Sequence, residues 1–142
     1  MRRPDVERIA LGLLAVAALP IGIQAALAPR SFFDDFPLPG RDWVSLAGAY
    51  DEHLVRDVGG LYLALGVVTA WAVLRPQVDL FRVVGIAWEV FSVPHLLFHL
   101  GHLDGLDTFD KVAESTSLAV TVVLAALLLF PVSGGRARPG SG

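Results

Sequence analysis

The chain has 142 residues, enough for one domain, and its 54% hydrophobic content and mean hydropathy of +0.61 are well above those of a soluble domain. It contains no cysteine, which excludes disulfides, thiolate metal sites, cysteine nucleophiles and covalent haem attachment. A net charge of −3 with scattered arginines excludes a nucleic-acid surface, so the composition is that of a membrane protein in which any metal rests on His, Asp and Glu.

In chain order, no charged residue interrupts 9–29, and this run matches the roughly 20 residues that a helix needs to cross the hydrocarbon core. A secretory signal peptide is the competing reading, with Arg2, Arg3 and Arg8 as its basic start and Ala26-Leu27-Ala28 as its cleavage pattern. The length of the run and Pro29 directly after the cut favour a membrane span. Further spans are predicted at about 57–75, 83–103 and 114–132. Gly59, Gly60, Ala64 and Gly66 in the second are small, which lets helices approach closely in lipid. The predicted fold is therefore all-α, a bundle of four transmembrane helices occupying residues 1–132, with residues 133–142 as a disordered cytoplasmic tail.

The segment between the first two spans is too long for a turn and is punctuated by Pro37, Pro39, Gly40 and Gly48. With Phe32, Phe33, Phe36, Trp43 and Tyr50 among its acids, it is expected to form an interfacial lid on the outer end of the bundle. Orientation follows from the basic residues. Arg2, Arg3, Arg8, Arg75, Arg82, Arg136 and Arg138 mark one side, so both termini are expected in the cytoplasm and the acidic loops outside, in a multi-pass protein of the plasma membrane.

Three of the four histidines, His95, His99 and His102, recur at steps of four and three in the third predicted span. At roughly 100° per residue they fall within a wedge of about 60°. The predicted topology places His53 and Asp57, one turn apart at the start of the second span, at the same outer end. Imidazole with carboxylate suits zinc, iron, copper or manganese, so His95, His99, His102 and His53 are candidate ligands, with Asp57 a ligand or a partner behind one. Histidines that hydrogen-bond between helices explain each residue taken singly. Pro94 is expected to loosen or kink the helix just before His95. The outer acids read more simply: Asp107 or Thr108 as the N-cap of the last helix with Asp110 in its first turn, and Asp51 or Glu52 in the same role for the second.

Glu89 lies near the middle of the third span, where an ionised carboxylate is costly, so it is expected to be protonated, paired or open to a polar cavity. Gln24 and Tyr62 are candidate polar neighbours within the membrane.

The run Arg56-Asp57-Val58-Gly59-Gly60-Leu61-Tyr62-Leu63-Ala64-Leu65-Gly66, with the four-span layout and the short basic middle loop, resembles the small bacterial membrane proteins of the DoxX-like group. That resemblance implies a compact four-helix bundle; some members are associated with respiratory or thiol-redox complexes, and many have no assigned activity. The PHLLFHLGH series matches no motif of the group and inherits no role from it.

Three functions are compatible with these residues. One is a transition-metal or haem site at the outer end, serving membrane redox chemistry or metal handling. Another is a non-enzymatic scaffold or accessory subunit, as a homo-oligomer or with a membrane-protein partner. The third is a small transporter or lipid-ligand binder that titrates Glu89 and the histidines. No nucleophile triad, P-loop or dinucleotide fingerprint is present.

Overall fold

A computed structural model of the protein describes residues 3–130. Five helices follow one another: α1 (Arg3–Leu27), α2 (Pro29–Asp35), α3 (Glu52–Leu74), α4 (Val78–Leu100) and α5 (Thr108–Leu129), with a 3-10 turn at Ser45–Ala47 between α2 and α3. Four of them are long and apolar enough to cross a membrane, over Asp5–Leu27, Glu52–Leu74, Val78–Leu100 and Thr108–Leu129. The fold is all-α and multi-pass, with the short interfacial helix α2 between the first two spans. The predicted tail at 133–142 and the last two residues of the predicted fourth span lie outside the described residues.

Helices α3 and α5 begin nearer the lid than their apolar runs do, because side-chain caps rather than hydropathy set where they start. Asp51 accepts a hydrogen bond from the Leu54 backbone N–H at 3.1 Å, which starts α3 ahead of His53, Arg56 and Asp57. Asp107 accepts from the Asp110 N–H at 2.8 Å, so α5 begins at Thr108 and carries Asp110 and Glu114 as helical residues. At the other boundary, α4 ends at Leu100 with Gly101 as its cap, and His102 lies beyond the helix. The three-histidine helical face is thus a two-histidine face. Pro94 lies inside α4, which continues through it to Leu100, with the proline on the exposed side of the helix.

The bundle is built from two antiparallel pairs, α1 with α3 and α4 with α5, joined by α1 against α5. Small residues set the first pair. A Cβ on Gly22 would lie 2.8 Å from the Leu63 nitrogen, and one on Gly59 would lie on the backbone of Ala25 and Ala26. The second pair meets at Gly85, whose added Cβ would be 3.0 Å from Leu128. Arg56 reaches across from α3 to donate to the Ala26 carbonyl at the end of α1, and pairs with Glu52 at 2.9 Å on its own helix.

Two cores result. Towards the chain's amino terminus, Leu11, Leu14, Ala18, Ala72, Phe81, Val84, Trp88, Ala125 and Leu128 form a close-packed apolar centre. Within it, the Trp88 indole donates to Thr69 at 2.9 Å, and Thr69 donates to the Leu65 carbonyl. At the opposite end, Ala25, Phe32 and Val55 form a smaller core, with Ile21, Phe33, Phe36, Val44 and Tyr50 packed on it. Aromatic contacts tie this cap together: Phe32 with Phe36 at 4.8 Å, Phe33 with Tyr50 at 5.1 Å and Phe36 with Trp43 at 6.2 Å.

Candidate functional site

Between these cores the interior changes character along one helix face. On α4, the buried residues Phe81, Val84, Gly85, Trp88 and Ser92 lie on one side. The helical period keeps His95 and His99 within about 100° of that side. On α5, Asp110, Glu114, Ser117, Thr121, Ala125 and Leu128 lie within about 80° of one another. The inner turns of both helices therefore present alanine, valine, leucine and tryptophan to the bundle, and the outer turns present serine, imidazole and carboxylate.

The antiparallel register that puts Gly85 opposite Leu128 also puts His99 opposite Glu114. His99 Nδ1 lies 2.8 Å from Glu114 Oε1, with the imidazole 15% and the carboxylate 4% exposed. This is the strongest polar contact between the two helices among the described residues. Its proton rides on the imidazole as an ion pair or on the carboxyl as a neutral hydrogen bond, and the geometry serves both. The second carboxylate oxygen, Oε2, is buried without a hydrogen-bond partner among the described residues, as are Asp110 Oδ1 and Ser92 Oγ.

His95 lies one turn along α4 from His99, with ring centroids 4.5 Å apart edge to face, and it stacks on Phe91 at 5.0 Å. Phe91 in turn meets Tyr62 of α3 edge to face at 5.1 Å. An aromatic ladder thus runs from α3 through Phe91 and His95 to the His99–Glu114 pair.

The lid closes this end of the site. Arg41 donates to Asp110 Oδ2 at 2.8 Å and lies 3.4 Å from Asp107 Oδ2, while its guanidinium stands over the Phe109 ring at 5.1 Å. The hydrogen bond and charge of Asp110 push the Arg41 guanidinium above its ordinary value, so it is a fixed cation. Leu46 of the lid packs by Gly105, whose φ of 91° makes the α4–α5 turn.

The other sequence candidates take separate positions. His53 pairs with Asp57 at 3.4 Å on the outside of α3, with the imidazole 88% exposed. The exposed His102 stacks on Phe98 at 4.1 Å, and its Nδ1 lies 2.7 Å from the Phe98 carbonyl oxygen. Glu89, about 60° around α4 from Ser92, is half-buried, and its Oε1 has no hydrogen-bond partner among the described residues. Gln24 is half-buried in the last turn of α1. Among the described residues, no three His, Asp or Glu side chains converge as a metal site.

Glu114, Asp110 and Arg41 complete the constellation, of which the sequence singles out Asp110 alone, as a first-turn residue of the last helix. The signal for the first two was the spacing 110, 114, 117, 121, 125, 128 on α5, which continues an apolar seam into polar residues.

Residues 6–98 match DUF4345, described as a domain of unknown function, over more than half of the 142-residue chain. The match takes in α1 to α4 as far as Phe98, with His95, and ends before His99. Of the DoxX-like resemblance, the four apolar helices in an all-α bundle are present, while the family matched is DUF4345. No curated protein and no solved structure matches the chain.

Proposed function

The chain belongs to the DUF4345 family, so its role is read from its own residues, and we propose a small transporter or lipid-ligand binder working through a protonatable site under the outer lid. The observation that carries this reading is the His99–Glu114 contact of 2.8 Å, which bridges two membrane helices with both groups largely buried. Buried imidazole–carboxylate pairs hold one proton between two groups, and a ligand that contacts either group changes where that proton rests. The pair lies beneath Arg41 and at the end of the aromatic ladder, which favours a binding site over a purely structural bridge. The ligand types of His95 and His99 also suit a transition metal or haem, the support there being ligand chemistry alone.

Infrared difference spectroscopy of the purified protein in lipid nanodiscs, stepped in pH, tests the reading. The expected result is one titrating carboxyl band that is lost in Glu114→Gln and displaced in pH in His99→Gln. A band unchanged in Glu114→Gln would overturn it, and so would a stoichiometric metal lost in a His95→Ala/His99→Ala double variant.

The lid is proposed to face outward and both termini the cytoplasm, on the support of the arginine distribution. Because the chain has no cysteine, single substitutions report on this directly. In intact cells an impermeant maleimide is expected to label Ser45→Cys in the lid and to spare Gln77→Cys in the α3–α4 turn. The reverse pattern would invert the topology.

A further inference from the structure

Although α3 and α4 are joined only by residues 75–77, they pack on each other far less than α1 packs on α3 or α4 on α5. Their separation leaves a groove of about 510 Å³ at mid-span, walled by Leu61, Ala64, Leu65 and Val68 on α3 and by Ala87 and Val90 on α4. Tyr62 and Phe91 meet edge to face across its lid-ward end at 5.1 Å. No charged side chain lines the groove among the described residues, so its occupant is apolar at this depth. Leu61 is 65% and Val90 72% exposed, which leaves the groove open along its side to the lipid.

The face of α3 that walls the groove continues to the end of the helix. Leu61, Ala64, Leu65, Val68 and Arg75 fall within about 100° of one another. Between Val68 and Arg75 stands Trp71, 56% exposed, and the Arg75 guanidinium lies 5.6 Å from its ring centroid. Arg75 is itself exposed, and among the described residues it forms no ion pair with a carboxylate. Asp79, the acid of that turn, lies instead 3.8 Å from Arg82. A tryptophan under an arginine at the end of a span marks the level of the membrane interface.

Depth and charge then specify the occupant. At about 1.5 Å per residue, the walls from Val68 to Leu61 lie about 10 to 21 Å below Arg75. One leaflet supplies about 15 Å of hydrocarbon, half the thickness of the core. An acyl chain whose headgroup sits level with Arg75 therefore ends in the groove. The bilayer itself holds an amphiphile's charge at the interface, so the charge of such an occupant meets Arg75 while only its tail meets the groove. By sequence, this side of the bundle carries Arg2, Arg3, Arg8, Arg75 and Arg82 against Asp5, Glu7 and Asp79. That surplus of positive charge favours an anionic headgroup over a zwitterionic one.

We infer that the α3–α4 groove and Arg75 together form the docking site of one anionic phospholipid, its acyl chain in the groove and its phosphate on Arg75 beside Trp71. The site uses neither His99 nor Glu114, and it goes beyond the protonatable site proposed above without depending on it.

Native mass spectrometry of the full chain tests the inference, on protein released from nanodiscs of equimolar dioleoyl phosphatidylglycerol and dioleoyl phosphatidylcholine. The expected result is one phosphatidylglycerol retained per chain, in about tenfold preference to phosphatidylcholine. Arg75→Gln is expected to bring that preference close to parity, while Arg82→Gln, which removes a charge already drawn to Asp79, keeps it. Ala87→Trp and the milder Ala64→Leu fill the groove from α4 and from α3 without altering a charge. Both are expected to lose the retained lipid while the thermal midpoint stays at the wild-type value. Equal retention of the two lipids, or an unchanged preference in Arg75→Gln, would overturn the headgroup assignment. Wild-type retention in the groove variants, or displacement of the lipid by glycerol 3-phosphate alone, would overturn the role of the groove.

Discussion

Gly59→Leu is expected to cost about 3 kcal/mol or more and to lower the thermal midpoint in detergent by roughly 10 °C, the largest effect of any single substitution considered for this chain. The cause is the crossing of α1 and α3. A Cβ added at residue 59 would land on the Ala25–Ala26 backbone, which has no rotamer to change, so the two helices must separate. Separation is costly here because α1 and α3 form the most extensive helix contact in the bundle, and in lipid close packing replaces the hydrophobic drive. Their parting also breaks the reach of Arg56 to the Ala26 carbonyl. The neighbouring glycine is the control. A Cβ on Gly60 meets nothing within 4 Å, so Gly60→Leu is expected to hold the wild-type midpoint or exceed it through the better helix propensity of leucine. Equal losses at both positions would mean that helix crossing does not set the stability of the α1–α3 pair.

The contrast between these adjacent glycines marks what sequence reading reached and what it did not. Both were legible as small residues on a membrane helix, and only the pairing of α3 with α1 tells which is buried. The four spans were legible because long uncharged runs have no other stable solution in a bilayer. The caps at Asp51 and Asp107 were legible because an acidic residue ahead of an apolar run satisfies otherwise unpaired N–H groups. Hydropathy, however, ends an apolar run at the charges that flank it. It therefore placed Glu114 at the edge of its span, whereas the cap at Asp107 draws it a turn and a half into α5 and onto the buried seam. The histidine run failed for a complementary reason. Spacing alone joined His102 to His95 and His99, while the end of α4 at Leu100 releases it to the surface. The pairing of His99 with Glu114 depends on the α4–α5 register, a property of two packed helices that neither helix specifies alone.

Arg41→Ala is expected to release the lid while leaving the bundle intact. Backbone amides of residues 41–47 should then exchange with solvent at least roughly tenfold faster, and those of α1 and α3 at wild-type rates. The argument is one of attachment. The aromatic cluster of Phe32, Phe33, Phe36 and Tyr50 binds the two roots of the lid to α1 and α3, but its middle reaches α5 chiefly through Arg41 on Asp110 and Asp107. Removing the guanidinium takes away both carboxylate contacts and the ring contact with Phe109 at once. It also leaves Asp110 buried beside Glu114 without its cation, so the pair on α5 must take up a proton or a substitute positive charge. Two readouts should therefore move together. Hydrogen exchange should localise the opening to the lid, and the Glu114 carboxyl band should move from its wild-type position, because the charge of Asp110 beside it is no longer offset. Arg41→Lys keeps the charge but not the forked geometry, and is expected to restore the band position more fully than the protection of the lid. A variant in which the lid exchanges faster while the band stays fixed would separate the latch from the site beneath it and limit Arg41 to a mechanical role.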